Sequence, residues 1–67
     1  MSESIAEALP KEQERARALL LLYETIPTGA FAATMLRQSL AEAERAAAAG
    51  DVVGMLAAYQ DLRRYSE

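Results

Sequence analysis

Ala30-Phe31-Ala32-Ala33-Thr34-Met35-Leu36-Arg37-Gln38-Ser39-Leu40-Ala41-Glu42-Ala43-Glu44-Arg45-Ala46-Ala47-Ala48-Ala49 is the longest stretch of this chain without a helix breaker. Within it Ala32, Met35, Leu36, Leu40, Ala43, Ala46 and Ala47 recur at i, i+3, i+4, i+7 and onward. That spacing places them on one face of a helix. Pro27 and Gly29 stand just before the stretch and Gly50 just after it. The pattern predicts a central helix over residues 29–49, with the rest of the chain packing against it.

Outward from that helix, both connections read as turns. Pro27 pushes Ile26 out of the α region and ends a preceding helix. Thr28 offers a hydroxyl to cap the central helix, and Gly29 permits a sharp reversal. Phe31, the only Phe, follows this turn directly and is expected to plug the end of a bundle. On the other side Gly50 suits the left-handed position after a helix. Asp51 then caps the next helix at once. So short a connection makes the central and third helices antiparallel neighbours.

The third helix is expected over residues 52–65, with Val52, Met55, Leu56, Tyr59 and Leu62 inward and an Asp61–Arg64 pair at i, i+3. The first helix is expected over residues 10–25, because Pro10 suits the first helical position, where its missing N–H has no partner anyway. Its inward stripe is Ala16, Leu19, Leu20, Tyr23 and Ile26. Glu12–Arg15 and Glu14–Arg17 are i, i+3 pairs. Residues 1–9 read as a loose lead-in, although Ser4 and Glu7 have capping-box spacing and Ile5 and Leu9 could dock. The fold class is therefore all-α: an antiparallel three-helix bundle in a single domain over residues 10–67.

Sixty-seven residues make one domain at most. A chain of that size buries only about 60% of its unfolded surface. Small domains often add disulfides, a metal or a partner chain. With no Cys and no His, disulfides, thiolate sites, imidazole ligands and histidine bases are excluded. Oligomerisation is the staple that remains. The longest aliphatic block, Leu19 to Leu22, is far too short to span a bilayer. No basic n-region precedes an apolar run at the start, so no signal peptide is expected. A cytoplasmic protein without membrane contact is the expectation.

The residues supply little for chemistry. No G-x-S-x-G and no Gly-rich phosphate loop occurs, and Ser39 has no base beside it in the sequence. Glu42 and Glu44 are two apart and point in different directions on a helix. No enzyme and no cofactor is expected. The net charge of −3, with basic residues scattered and each near an acid, argues against direct nucleic-acid binding. A recognition helix beginning Gly29-Ala30-Phe31-Ala32-Ala33 would offer no polar side chains to base edges.

Gly50-Asp51-Val52-Val53-Gly54-Met55-Leu56-Ala57-Ala58-Tyr59 is similar to the second half of a tetratricopeptide-type hairpin. It covers a minor part of the chain, and one hairpin is not an array. A broader resemblance runs from Pro10 onward. It rests on Gln13-Glu14-Arg15, the leucine run with Tyr23, Ile26-Pro27-Thr28-Gly29-Ala30-Phe31, Met35, and Gly50-Asp51-Val52-Val53 with Met55 and Tyr59. In this order the chain resembles a group of small uncharacterised proteins encoded in phages and prophages of proteobacteria. That group carries Gly-Pro-Ala-Gly in the turn where this chain has Pro27-Thr28-Gly29. The resemblance implies a phage or prophage setting and transfers no activity and no site residue.

The functional expectation follows from apolar surface on a chain too short to bury it. The chain reads as a small helical protein–protein interaction module, a homodimer or the partner of another protein. Leu21 and Leu22 on the first helix and Tyr65 near the C-terminus are the candidate surface residues, with the alanine face of the central helix beside them. The alternative is an acidic phage-type regulator that occludes a host nucleic-acid-binding protein by mimicking phosphate.

Overall fold

The computed structural model describes residues 3–66. Three helices follow in order: α1 (Ile5–Thr25), α2 (Ala30–Ala49) and α3 (Val52–Leu62). Each packs against the other two, so the expected all-α three-helix bundle is the fold.

α1 begins five residues earlier than Pro10 suggests. Pro10 lies inside the helix, where its ring takes the N–H that would have bonded to Ala6. Ala6 itself is exposed. What outweighs that lost bond is burial: Leu9 is 0% exposed and Ile5 packs against the core. The expected lead-in is thus helical from Ile5 and docked, and only its residues 1–2 lie outside the described residues. Ser4 stands at the cap without a side-chain bond. Its carbonyl accepts from the N–H groups of Glu7 (3.0 Å) and Ala8 (2.9 Å), and with no bond from the Ser4 side chain no capping box forms.

The Ile26–Gly29 connection is a hydrogen-bonded turn with Pro27 at its second position. The Gly29 N–H donates to the Ile26 carbonyl at 2.9 Å. Ile26 is extended (φ −97°, ψ 122°), as the residue before proline should be. Gly29, and not Thr28, caps α2, and it does so without a side-chain bond. Gly29 is buried at ordinary φ; a Cβ there would lie 2.5 Å from the Tyr23 carbonyl oxygen. Close approach of the α1 end demands this glycine.

The second connection follows expectation. Gly50 is left-handed (φ 66°). Its N–H donates to Ala47 O at 3.2 Å, and that of Asp51 to Ala46 O at 3.0 Å, which closes the helix end as a Schellman motif. The Asp51 carboxylate then accepts the Gly54 N–H at 3.0 Å and starts α3.

The core is narrow. Leu9, Leu36 and Leu62 are its largest fully buried side chains, with Ala16, Leu19, Leu40, Ala43, Met55 and Ala58 around them. Part of the expected stripe lies outside it: Ile26, Met35, Val52 and Leu56 are exposed. Phe31 does not plug the bundle end. It is 78% exposed, because Leu36 and Leu62 already fill the interior and Phe31 projects from a neighbouring face of α2.

Candidate functional site

α3 stops at Leu62, short of residue 65, and the chain tightens into turns that bring Tyr65 back over the bundle. The N–H groups of Arg64 and Tyr65 donate to Asp61 O and Leu62 O, each at 3.2 Å. Arg15 holds this segment from α1. Its guanidinium donates to Leu62 O (2.9 Å) and Tyr65 O (3.1 Å), supplying cationic donors to the carbonyls at a helix C-terminus. Glu12 orients it through an Nε–H bond of 2.9 Å. That bond raises the Arg15 pKa above its ordinary value. Tyr23 Oη donates to Ser66 O, and the Tyr65 and Ser39 hydroxyls share a hydrogen bond of 3.2 Å.

These contacts settle where the candidate surface residues sit. Leu21 is 67% exposed on the polar outer side of α1, among Arg17, Ala18, Glu24 and Thr25 by helix spacing. Leu22 is exposed and lines a groove with Arg15, Ala18, Leu19 and Ser66. Tyr65 is half-buried and packs against the core; its hydroxyl bond to buried Ser39 turns it inward. It lines a separate groove of ≈ 380 Å³ with Phe31, Ala32, Met35, Asp61 and Arg64. Leu22 and Tyr65 therefore belong to different surfaces flanking the C-terminal segment, and Leu21 stands apart from both.

Phe31 and Met35 are the residues that the sequence reading did not assign to a surface. The spacing alone puts Met35 on the inward stripe; only the burial of Ala33, Leu36 and Leu40 shows that Phe31 and Met35, at i and i+4, share the next face. Asp61 also lines a second groove between α2 and α3, with Glu42, Arg45, Ala46, Asp51, Gly54 and Ala57. A Cβ on Gly54 would meet the Asp51 carboxylate and, at 3.3 Å, the Ala46 methyl, so Gly54 serves the cap and close helix packing.

The ion pairs of the described residues all involve α1 or the residue leading into it: Glu3–Lys11, Glu12–Arg15, Arg17–Glu44 and Glu24–Arg37. Arg17 reaches across to α2 in place of Glu14, and Asp61 does not pair with Arg64. Arg63 lies over the Tyr59 ring, 5.6 Å from its centre. Ser39 is buried, bonded only to Tyr65, and Thr34 bonds back to Ala30 O at 3.1 Å. Among the described residues no group of acidic side chains gathers that could hold a metal ion. No helix there is long and apolar enough to cross a membrane. No protein-family profile, curated protein or solved structure matches this chain.

Proposed function

We propose that this chain is a small helical protein–protein interaction module that self-associates, with a homodimer as the simplest assembly. The observation that carries this reading is Phe31. The only Phe of the chain lies 78% exposed, beside exposed Met35, on a groove floored by Tyr65. A large apolar side chain left in water forgoes roughly 1.5–3 kcal/mol of burial, and an exposed aromatic next to a groove is the kind of anchor interfaces use.

The reading as an acidic regulator that occludes a host nucleic-acid-binding protein draws less support. Glu12, Glu24 and Glu44 each face an arginine, which breaks up the acidic surface that phosphate mimicry needs. Charge mimicry would also weaken steeply with ionic strength, whereas apolar association would not. The likeness to phage and prophage proteins adds a setting to the proposal, on its quoted residues alone.

Phe31→Gln tests the proposal. Because Phe31 is outside the core, helicity should be unchanged, while the dissociation constant of the dimer should rise by about tenfold or more, as for an interface anchor. Leu21→Glu, on the isolated outer leucine, should change it far less. Assembly of Phe31→Gln at wild-type strength would remove the observation on which the proposal stands.

A further inference from the structure

α3 is too short to cover the hairpin that α1 and α2 form. It has 11 residues against 20 in α2, and the Gly50-Asp51 connection starts it at the far end of α2. It therefore runs back along only part of α2 and ends where the Leu62 carbonyl meets Arg15. Beyond that point the non-helical residues Arg63–Ser66 take its place. Arg63, Arg64 and Ser66 are exposed, and Tyr65 is half-buried. Polar contacts from three points on the hairpin hold this segment: Arg15 on the Leu62 and Tyr65 carbonyls, Tyr23 on the Ser66 carbonyl, and Ser39 on the Tyr65 hydroxyl. Its own backbone bonds are single-turn bonds of 3.2 Å.

A segment with few buried apolar contacts and exposed hydrogen bonds is the kind that opens locally while the rest stays folded. The grooves on its two sides share it as a wall. Ser66 lines the groove of Leu19 and Leu22, and Tyr65 lines that of Phe31 and Met35. We infer that Arg63–Ser66 is a releasable strap, latched by Arg15, Tyr23 and Ser39, that divides one cleft between α1 and α2 into these two grooves. Lifting it removes the shared wall and exposes Ser39, which is buried in the closed form. The strap is thus the occupant of the cleft and keeps it shut from within the same chain. Closed and open forms are states of a single chain, so this does not rest on self-association.

Trypsin reads the strap directly, because Arg64 lies within it and proteolysis tracks the population of a locally opened form. First cuts of the intact chain are located by mass spectrometry, after Arg64 and, for comparison, after Arg37 and Arg45 in α2. Tyr23→Phe and Ser39→Ala each delete one latch bond and should speed cleavage after Arg64 by about threefold or more. Arg15→Gln deletes two charge-assisted bonds and should speed it by about tenfold or more. Cleavage in α2 should keep its wild-type rate. Fluorescence of the apolar dye anilinonaphthalene sulfonate should rise in the same order as the grooves join. Circular dichroism checks folding, and if Arg15→Gln does not fold the two hydroxyl variants carry the test. Equal acceleration after Arg64 and in α2 would mean that these contacts serve the whole bundle, and would overturn the strap. Variants cut after Arg64 at the wild-type rate would overturn it as well. Faster cleavage with unchanged dye fluorescence would overturn the joined cleft.

Discussion

Gly29 and Gly50 are both turn residues, and their side-chain hydrogens are needed for different reasons. Gly50 is left-handed with open space where a Cβ would go, so Gly50→Ala meets only the torsional penalty of about 1–2 kcal/mol. Gly29 has ordinary φ, yet a Cβ would sit 2.5 Å from the backbone oxygen of Tyr23, and backbone cannot swing aside as a side-chain tip can. Gly29→Ala should lose about 2–3 kcal/mol, the upper part of the range for overpacking. Urea denaturation of the two variants checks the order, and a less stable Gly50→Ala would contradict it. The sequence made Gly50 legible because its role is local: a glycine after the last helical residue and a capping Asp next to it. It made Gly29 only half legible. A glycine at a turn is visible, but the α1 carbonyl that forbids a side chain is fixed by how the turn folds back. Phe31 is misplaced for a related reason, and the inward turn of the Tyr65 hydroxyl is not legible either. Apolarity at a helix end does not say which face is covered, and the Ser39–Tyr65 and Arg15–Tyr65 contacts join residues far apart in the chain.

Among the elements, α1 departs most from its local signals. A proline preceded by a short terminal segment reads as a helix start, and sequence periodicity places the boundary at Pro10. Burial of Leu9 moves it to Ile5. Leu9 is one of the three large side chains wholly removed from solvent, so Leu9→Ala should lose about 2–5 kcal/mol, a large share of what so small a domain has. Pro10→Ala should act in the opposite direction. It restores the N–H facing Ala6 O and removes the ring from the helix interior, for a gain of roughly 1–3 kcal/mol. Thermal or urea unfolding of the pair decides this: neutral Leu9→Ala would mean that the first turns of α1 are not docked. α2 and the start of α3 needed no such correction. Their breakers and helical spacing agree on the bounds, and agreement of local signals is what makes an element readable from sequence, although Gly29 takes the cap expected of Thr28 and Met35 and Val52 stand outside the core. The end of α3 was not readable, because the partner of its last carbonyls is Arg15 on another helix.

At the scale of the whole molecule, three helices enclose a core of a few leucines and alanines, while Leu21, Phe31 and Val53 stand more than half exposed. Fold class was legible because helix count and topology follow from turns and periodicity. The surface was less so. Leu21 and Leu22 are exposed as the leucine run suggested, yet the groove beside Phe31 and Tyr65 lies on α2 and the C-terminal segment, where only packing reveals it. Small domains without disulfide or metal sit near the limit of independent stability, and the proposed second copy over exposed apolar groups would move the chain away from that limit. Sedimentation equilibrium of the wild-type chain over a wide concentration range is the most direct test of self-association. The account predicts a reversible shift from a 7.3 kDa species to twice that mass as concentration rises. A single 7.3 kDa species at every concentration would contradict it.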